Sequence, residues 1–269
     1  MKKILIIGND SYWATGLDFD STEFSVDKIY RPLNENLERY NDYDFIINFC
    51  IQPEHFSRLL SNEEMIDVQI AKQISNPNTK LIFLSSRKVY GSSPKLKIYS
   101  ESEELNPFDF YSKNKVNIEK NLTEILDENQ LLILRTSNIV DIPPKHHSPT
   151  FISWLESELK QHKKVVVTVD KKAKKDFITR DYFQYAIKKV VENNLSGKCN
   201  IGAGFAISIE ELMTNLVDKN KLFFEQKEEN GEQFVLNCEK LHSIANKFTL
   251  KDLVQKCKQV QQYMENNFE

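Results

Sequence analysis

The chain has 269 residues, with 36 Lys and Arg against 39 Asp and Glu, for a formal net charge of −3 at neutral pH. That length buries a sizeable core, as one domain or as a large domain with a small lobe. The near-balanced charge argues against a nucleic-acid scaffold or a membrane-binding patch, and no apolar stretch approaches the roughly 20 residues a membrane span needs.

In chain order, KKILIIG (2–8) is a continuous apolar run ending in glycine, which predicts a strand buried on both faces. The sequence opens directly on this strand with no cleavage-site pattern, so a cytoplasmic protein is expected. The segments 24–31, 43–50, 80–86 and 131–140 predict four more strands. Helical periodicity separates them. Residues 62–74 carry Met65, Ile66, Ile70 and Ile74 on one face, and 112–126 carry Val116, Ile118, Leu122, Ile125 and Leu126. Strands alternating with helices predict an α/β fold, a doubly wound parallel sheet of the Rossmann type.

The pattern changes beyond Pro143 and Pro144. A helix is expected over 151–160, a strand over 164–170, and a short strand and a helix over 175–193. A strand, a glycine turn and a helix follow over 198–216, with Ser208 as N-cap and Glu211 three residues on. Two helical patterns close the chain. The expected division is a dinucleotide-binding domain over 1–145, completed by 176–203, and a smaller substrate lobe of 146–175 and 204–269. Cys50, Cys199, Cys238 and Cys257 show no metal or redox spacing, so reduced thiols and no metal site are expected.

Tyr111 and Lys115 lie four residues apart, on one face of the predicted helix. A lysine ammonium beside a phenol favours the phenolate, which is expected to lower the tyrosine pKa toward the working pH. Such a tyrosine moves a proton at a sugar or alcohol oxygen. Ser86, at the end of the predicted strand 80–86, is placed to hold that oxygen.

The order Ser85-Ser86, Val89-Tyr90-Gly91, Tyr111-x-x-x-Lys115 resembles the extended short-chain dehydrogenase/reductase family, whose members mostly act on nucleotide sugars. DFITRDYF (176–183) resembles the family's acidic stretch, with Asp181 kept and Tyr182 replacing a second acid. CNIGAGFAISIEELM (199–213) resembles its Asn-Ile-Gly-x-Gly pattern. The resemblance covers nearly the whole chain. It implies catalytic roles for Ser86, Tyr111 and Lys115, a nucleotide-diphosphate sugar as substrate, and a homodimer.

The family's Gly-x-x-Gly-x-x-Gly turn reads Gly8-Asn9-Asp10-Ser11-Tyr12-Trp13-Ala14 here, keeping only the first glycine. Gly8, Ser11, Tyr12 and Trp13 are the expected cofactor turn, Cys50 faces the cofactor after the third strand, and Lys115 holds the nicotinamide ribose. Asp10 places a negative charge near the diphosphate. The second strand ends at Arg31 with no acid, which suits a 2′-phosphate and favours NADP(H) over NAD(H).

Arg87 and Lys88 stand where the family's 4,6-dehydratases resemble Asp-Glu, and two basic residues cannot fill both acid and base roles at neutral pH. Arg87, Lys88, Asn138, His146, His147 and Lys175 are the expected substrate contacts. The expectation is an NAD(P)-dependent reductase of a nucleotide-activated keto-sugar, with C4 as the reacting carbon, serving bacterial surface polysaccharide synthesis. The alternatives are a 4-epimerase with retained NAD and a non-catalytic binding protein on the same fold.

Overall fold

The computed structural model describes residues 1–31, 37–142, 151–225 and 231–268. The strands are β1 (Lys2–Ile7), β2 (Phe24–Ile29), β3 (Phe45–Asn48), β4 (Lys80–Ser86), β5 (Lys97–Tyr99), β6 (Leu131–Thr136), β7 (Asn138–Val140), β8 (Val165–Val167), β9 (Lys174–Lys175), β10 (Phe177–Thr179), β11 (Gly197–Ile201), β12 (Ile207–Ser208), β13 (Leu222–Phe224) and β14 (Phe234–Leu236). The helices are α1 (Ile66–Ala71), α2 (Phe110–Ile125), α3 (Phe151–His162), α4 (Arg180–Glu192), α5 (Ile209–Leu216), α6 (Glu239–His242) and α7 (Leu250–Phe268). The chain forms two compact units. The first comprises 1–91, 101–136 and 184–201; the second comprises 92–100, 137–183 and 202–269.

The first unit holds a six-stranded sheet in the order β11-β6-β4-β3-β1-β2. Every pairing in it is parallel. This is the Rossmann-type sheet that the alternating strand and helix patterns predict. β1, β3, β4 and β6 are apolar runs because both faces of each are covered. Leu81, Phe83, Ile118, Leu122 and Ile133 share one core with Met65 and Val68. Each such side chain contributes about 1.5–3 kcal/mol by leaving water. At the foot of β4, Lys80 is 3% exposed. Its ammonium donates to the Asn194 carbonyl (2.8 Å) and Oδ1 (2.8 Å), the Leu195 carbonyl (2.9 Å) and the Ser196 hydroxyl (2.7 Å). The cation there meets the carbonyls that follow the end of a helix.

β1 and β2 are joined without a helix. Residues 9–16 form successive turns, and a further turn at 21–23 leads into β2. The predicted strand 131–140 breaks at Ser137 into β6 and β7, and β7 pairs with β10 instead of extending the large sheet.

The second unit contains a four-stranded sheet, β12-β9-β14-β5, and two parallel pairs, β10 with β7 and β13 with β8. Ser208 caps α5, its side chain accepting the Glu211 amide, as the sequence predicts. Asp176 is fully buried and accepts the amides of Ala203 (2.8 Å), Gly204 (3.2 Å) and Leu236 (3.2 Å). Those bonds tie the glycine turn after β11 to β14.

Candidate active site

Ser86 ends β4 and opens a 3-10 turn over Arg87–Tyr90, its Oγ accepting the Lys88 amide at 3.3 Å. The turn closes at Gly91, whose φ of 87° and contact with the Asn106 carbonyl leave no room for a β-carbon. α2 begins at a capping box. The Asp109 carboxylate accepts the Ser112 amide at 2.7 Å, and the Ser112 hydroxyl accepts the Asp109 amide at 3.2 Å. Such a cap contributes about 1 kcal/mol. It also fixes the helix start, setting Tyr111 in the first turn and Lys115 one turn further on the same face.

The Tyr111 phenol is hydrogen-bonded to the Ser86 side chain. Lys115 is buried, and its Nζ donates to the Leu84 carbonyl at 2.7 Å. Its ammonium lies 4.6 Å from the Phe83 ring centroid and 5.8 Å from that of Tyr111. Lys88 also lies 5.8 Å from the Tyr111 ring and pairs with Asp109 at 2.9 Å. Phe56 stacks flat on Tyr111, with centroids 5.0 Å apart and planes 1° from parallel. The three residues that the sequence brings together are therefore adjacent, with a second lysine and an aromatic ring beside them.

The expected electrostatics of Tyr111 need correction. Burial pushes the phenol up to about 12, the Ser86 hydrogen bond and Arg87 oppose that rise, and Asp109 adds to it. Tyr111 holds its proton at neutral pH, the form that a proton donor requires.

Beneath Tyr111 lie groups that motif reading misses. His55 is 3% exposed, with its Nδ1 unpartnered. Burial and the nearby Lys115 push it down to about 4. Asp67, on α1, is buried and accepts Asn48 Nδ2 at 2.8 Å. Glu119 accepts Ser85 Oγ at 2.5 Å and Arg135 Nη2 at 2.6 Å. Arg135 also donates to the Tyr90 hydroxyl at 3.1 Å, which in turn donates to Asn200 Oδ1 at 2.7 Å. The available sequence signals are a charge inside the apolar strand LLILRT and an acid four residues after Lys115.

The other expected contacts are divided between the two units. Arg87 is buried beside Lys88 in the first unit. Asn138 and Lys175 belong to the second unit, where Lys175 pairs with Glu232 at 3.3 Å. His146 and His147 lie outside the described residues. Among the described residues, no group of three or more His, Cys, Asp or Glu could hold a metal, and no helix is long and apolar enough to cross a membrane.

At the cofactor turn, Gly8 has φ 78°, and a β-carbon there would stand 2.9 Å from the Cys50 amide nitrogen. The positive φ and this close contact make the tight turn after β1 a place for glycine. Further along, the amides of Ser11, Ala14 and Thr15 are already bonded within the turns. A pyrophosphate therefore meets no helix N-terminus here. Tyr12 is buried and packs edge-on against Trp13, 4.7 Å between centroids. Burial pushes the Cys50 thiol up to about 11, so it stays protonated. The residues that fit a dinucleotide are the Gly8 backbone, the exposed Arg31 after β2, Cys50 after β3 and Lys115.

The parallel sheet carries a serine, a tyrosine and a lysine gathered at the end of β4, the arrangement that the resemblance to extended short-chain dehydrogenase/reductases implies. Residues 62–192, just under half of the chain, match the family model described as the RmlD substrate binding domain. Solved structures share the fold over the whole length. UDP-N-acetylglucosamine 4-epimerase from Methanobrevibacter ruminantium M1, in complex with UDP-N-acetylmuramic acid, is 18% identical, with 99% of each chain covered and a TM-score of 0.76. UDP-glucuronic acid 4-epimerase from Bacillus cereus, in complex with UDP-glucuronic acid and NAD, is 18% identical, covering 99% of this chain and 100% of that one, with a TM-score of 0.76. dTDP-glucose 4,6-dehydratase from Bacillus anthracis str. Ames, in complex with NAD, is 16% identical, covering 99% and 97%, with a TM-score of 0.75. No match was found among curated proteins. The chain thus shares its fold with these enzymes over its whole length, and its middle part matches the RmlD substrate binding domain.

Proposed function

We propose that this protein is an NAD(P)-dependent reductase of a nucleotide-activated keto-sugar, acting at C4 of a 6-deoxy-4-keto sugar in the supply of surface polysaccharide precursors. The observation that carries the reading is the Ser86–Tyr111 hydrogen bond with Lys115 buried one helical turn below. In this reading the Ser86 hydroxyl holds the sugar carbonyl oxygen, and Tyr111 gives that oxygen its proton. A bound dinucleotide supplies the hydride. Lys115 supports the site from below, and Lys88 offers a cation to the substrate phosphates. Arg31 reads the 2′-phosphate, favouring NADPH.

The helix-less turn after β1 offers few free donors to a pyrophosphate, which supports a cofactor that exchanges every cycle. It speaks against the epimerase reading, because transient oxidation and re-reduction of one sugar needs NAD to stay bound. The same turn favours a second reading, a nucleotide-sugar binding protein without turnover.

Calorimetric titration with NADH, NADPH and a panel of nucleotide diphosphates separates these. The reductase should purify empty, then bind a reduced dinucleotide and one nucleotide diphosphate. Stoichiometric NAD released on denaturation would favour the epimerase. Nucleotide binding without dinucleotide binding at millimolar concentration would favour the binding protein.

A further inference from the structure

We infer that Asp67 is the buried counter-ion that keeps Lys115 in its ammonium form, and is therefore a positioning residue for the chemistry at Tyr111. The argument is one of matching charges. Lys115 is buried and bonds to a neutral acceptor, the Leu84 carbonyl, with the Phe83 and Tyr111 rings beside it. Asp67 is also buried and bonds to a neutral donor, the Asn48 amide. A buried charge held only by neutral groups is costly, and two opposite ones close together relieve each other. Asn48, which holds Asp67, stands opposite Phe83 across β3 and β4, and the Lys115 ammonium lies 4.6 Å from that Phe83 ring. α1, which carries Asp67, packs on α2, which carries Lys115. Burial raises the Asp67 carboxyl, and Lys115 opposes that rise.

The other groups facing Lys115 do not take this role. Glu119, one turn along α2, is matched by Arg135 at 2.6 Å and by Ser85. His55, from the 3-10 turn Pro53–Phe56, is held neutral by its burial. Tyr111 keeps its proton. Burial alone drives Lys115 toward the neutral amine; Asp67 is the larger of the two opposing influences and Glu119 the smaller. Asn48 aims the carboxylate, and its Oδ1 also accepts the Cys50 amide at 3.0 Å, so α1 and β3 share the device.

The test is a carbon-13 NMR titration of the full chain labelled at lysine Cε, with Lys115 assigned through Lys115→Arg. Asp67→Asn should lower the Lys115 titration midpoint by about one pH unit or more, a tenfold change in proton affinity, while Asp67→Glu should hold it near the wild type. An unmoved midpoint in a folded Asp67→Asn protein overturns the pairing. The wild type alone supplies a second measurement. The Asp67 Cγ resonance should move as Lys115 titrates, and a resonance blind to that titration also overturns it. The functional part rests on the reductase reading: the alkaline limb of the kcat/KM profile should fall at lower pH in Asp67→Asn. A shifted NMR midpoint in a protein that turns over no substrate would retain the charge coupling and reject the reductase.

Discussion

Glu119 and Arg135 form an ion pair at 2.6 Å with side chains 4% and 1% exposed, and Glu119 sits one helical turn beyond Lys115 on the same face of α2. The pair fastens the helix that carries Tyr111 and Lys115 to β6. Removing one partner leaves an uncompensated buried charge, so Arg135→Met should cost about 3–5 kcal/mol in urea unfolding. The double variant Glu119→Gln, Arg135→Met should recover part of that loss. A single variant with wild-type stability would show that the pair does not anchor α2.

Tyr111→Phe keeps the ring stacked on Phe56 and removes the hydroxyl held by Ser86. Under the reductase reading, turnover should fall by about 10²–10⁴ with an unchanged circular dichroism spectrum. Steady-state assays with the assigned sugar nucleotide decide it, and undiminished turnover would remove Tyr111 from the proton transfer.

His55 makes stability depend on acid. Its folded pKa of about 4 lies below the ordinary 6.5, so the unfolded chain takes up a proton first as pH falls. Its contribution is fully present above pH 6.5, and is lost as pH falls through that value toward 4. The loss amounts to about 3 kcal/mol. His55→Leu should flatten this part of the curve, measured by urea midpoints across that range. An equally steep curve in the variant would assign the dependence elsewhere.

Arg31→Ala should abolish any preference for NADPH over NADH, at a cost of about 1.5–3 kcal/mol in NADPH affinity. Calorimetry measures both, and equal affinities in the wild type would leave Arg31 without this role.

Gly8→Ala places a β-carbon 2.9 Å from the Cys50 amide nitrogen at a φ of 78°. The left-handed backbone alone costs roughly 1–2 kcal/mol, and the contact adds to it. Thermal unfolding of the cofactor-free protein should show the loss, and an unchanged transition would mean that the turn relaxes freely.

The sheet was legible because β1, β3, β4 and β6 are apolar runs of strand length, and α2 because its apolar residues recur at helical spacing. The Ser86–Tyr111–Lys115 set was legible from spacing, since i and i+4 share a helix face. Asp67 and His55 were not legible. A buried acid inside MIDVQI reads locally as a solvent-facing position, and only the approach of α1 to α2 buries it. The break of 131–140 at Ser137 was also hidden, because the Ser137 hydroxyl is bound by the Asp176 carbonyl, 39 residues away. The electrostatics of Tyr111 were misread for a related reason. Spacing reports which charges are near, but the depth of burial decides the balance, and depth is a tertiary property.

Lys80 places a constraint on how the polypeptide is made. Its four acceptors lie in residues 194–196, more than a hundred positions downstream, and β11 follows at once to cover the outer edge of β6. A nascent chain that has emerged only as far as Thr136 has β6 bare along one side and the Lys80 ammonium still in water. During synthesis, the first unit must wait for about sixty further residues before its sheet can close, with an open edge that invites pairing with other chains.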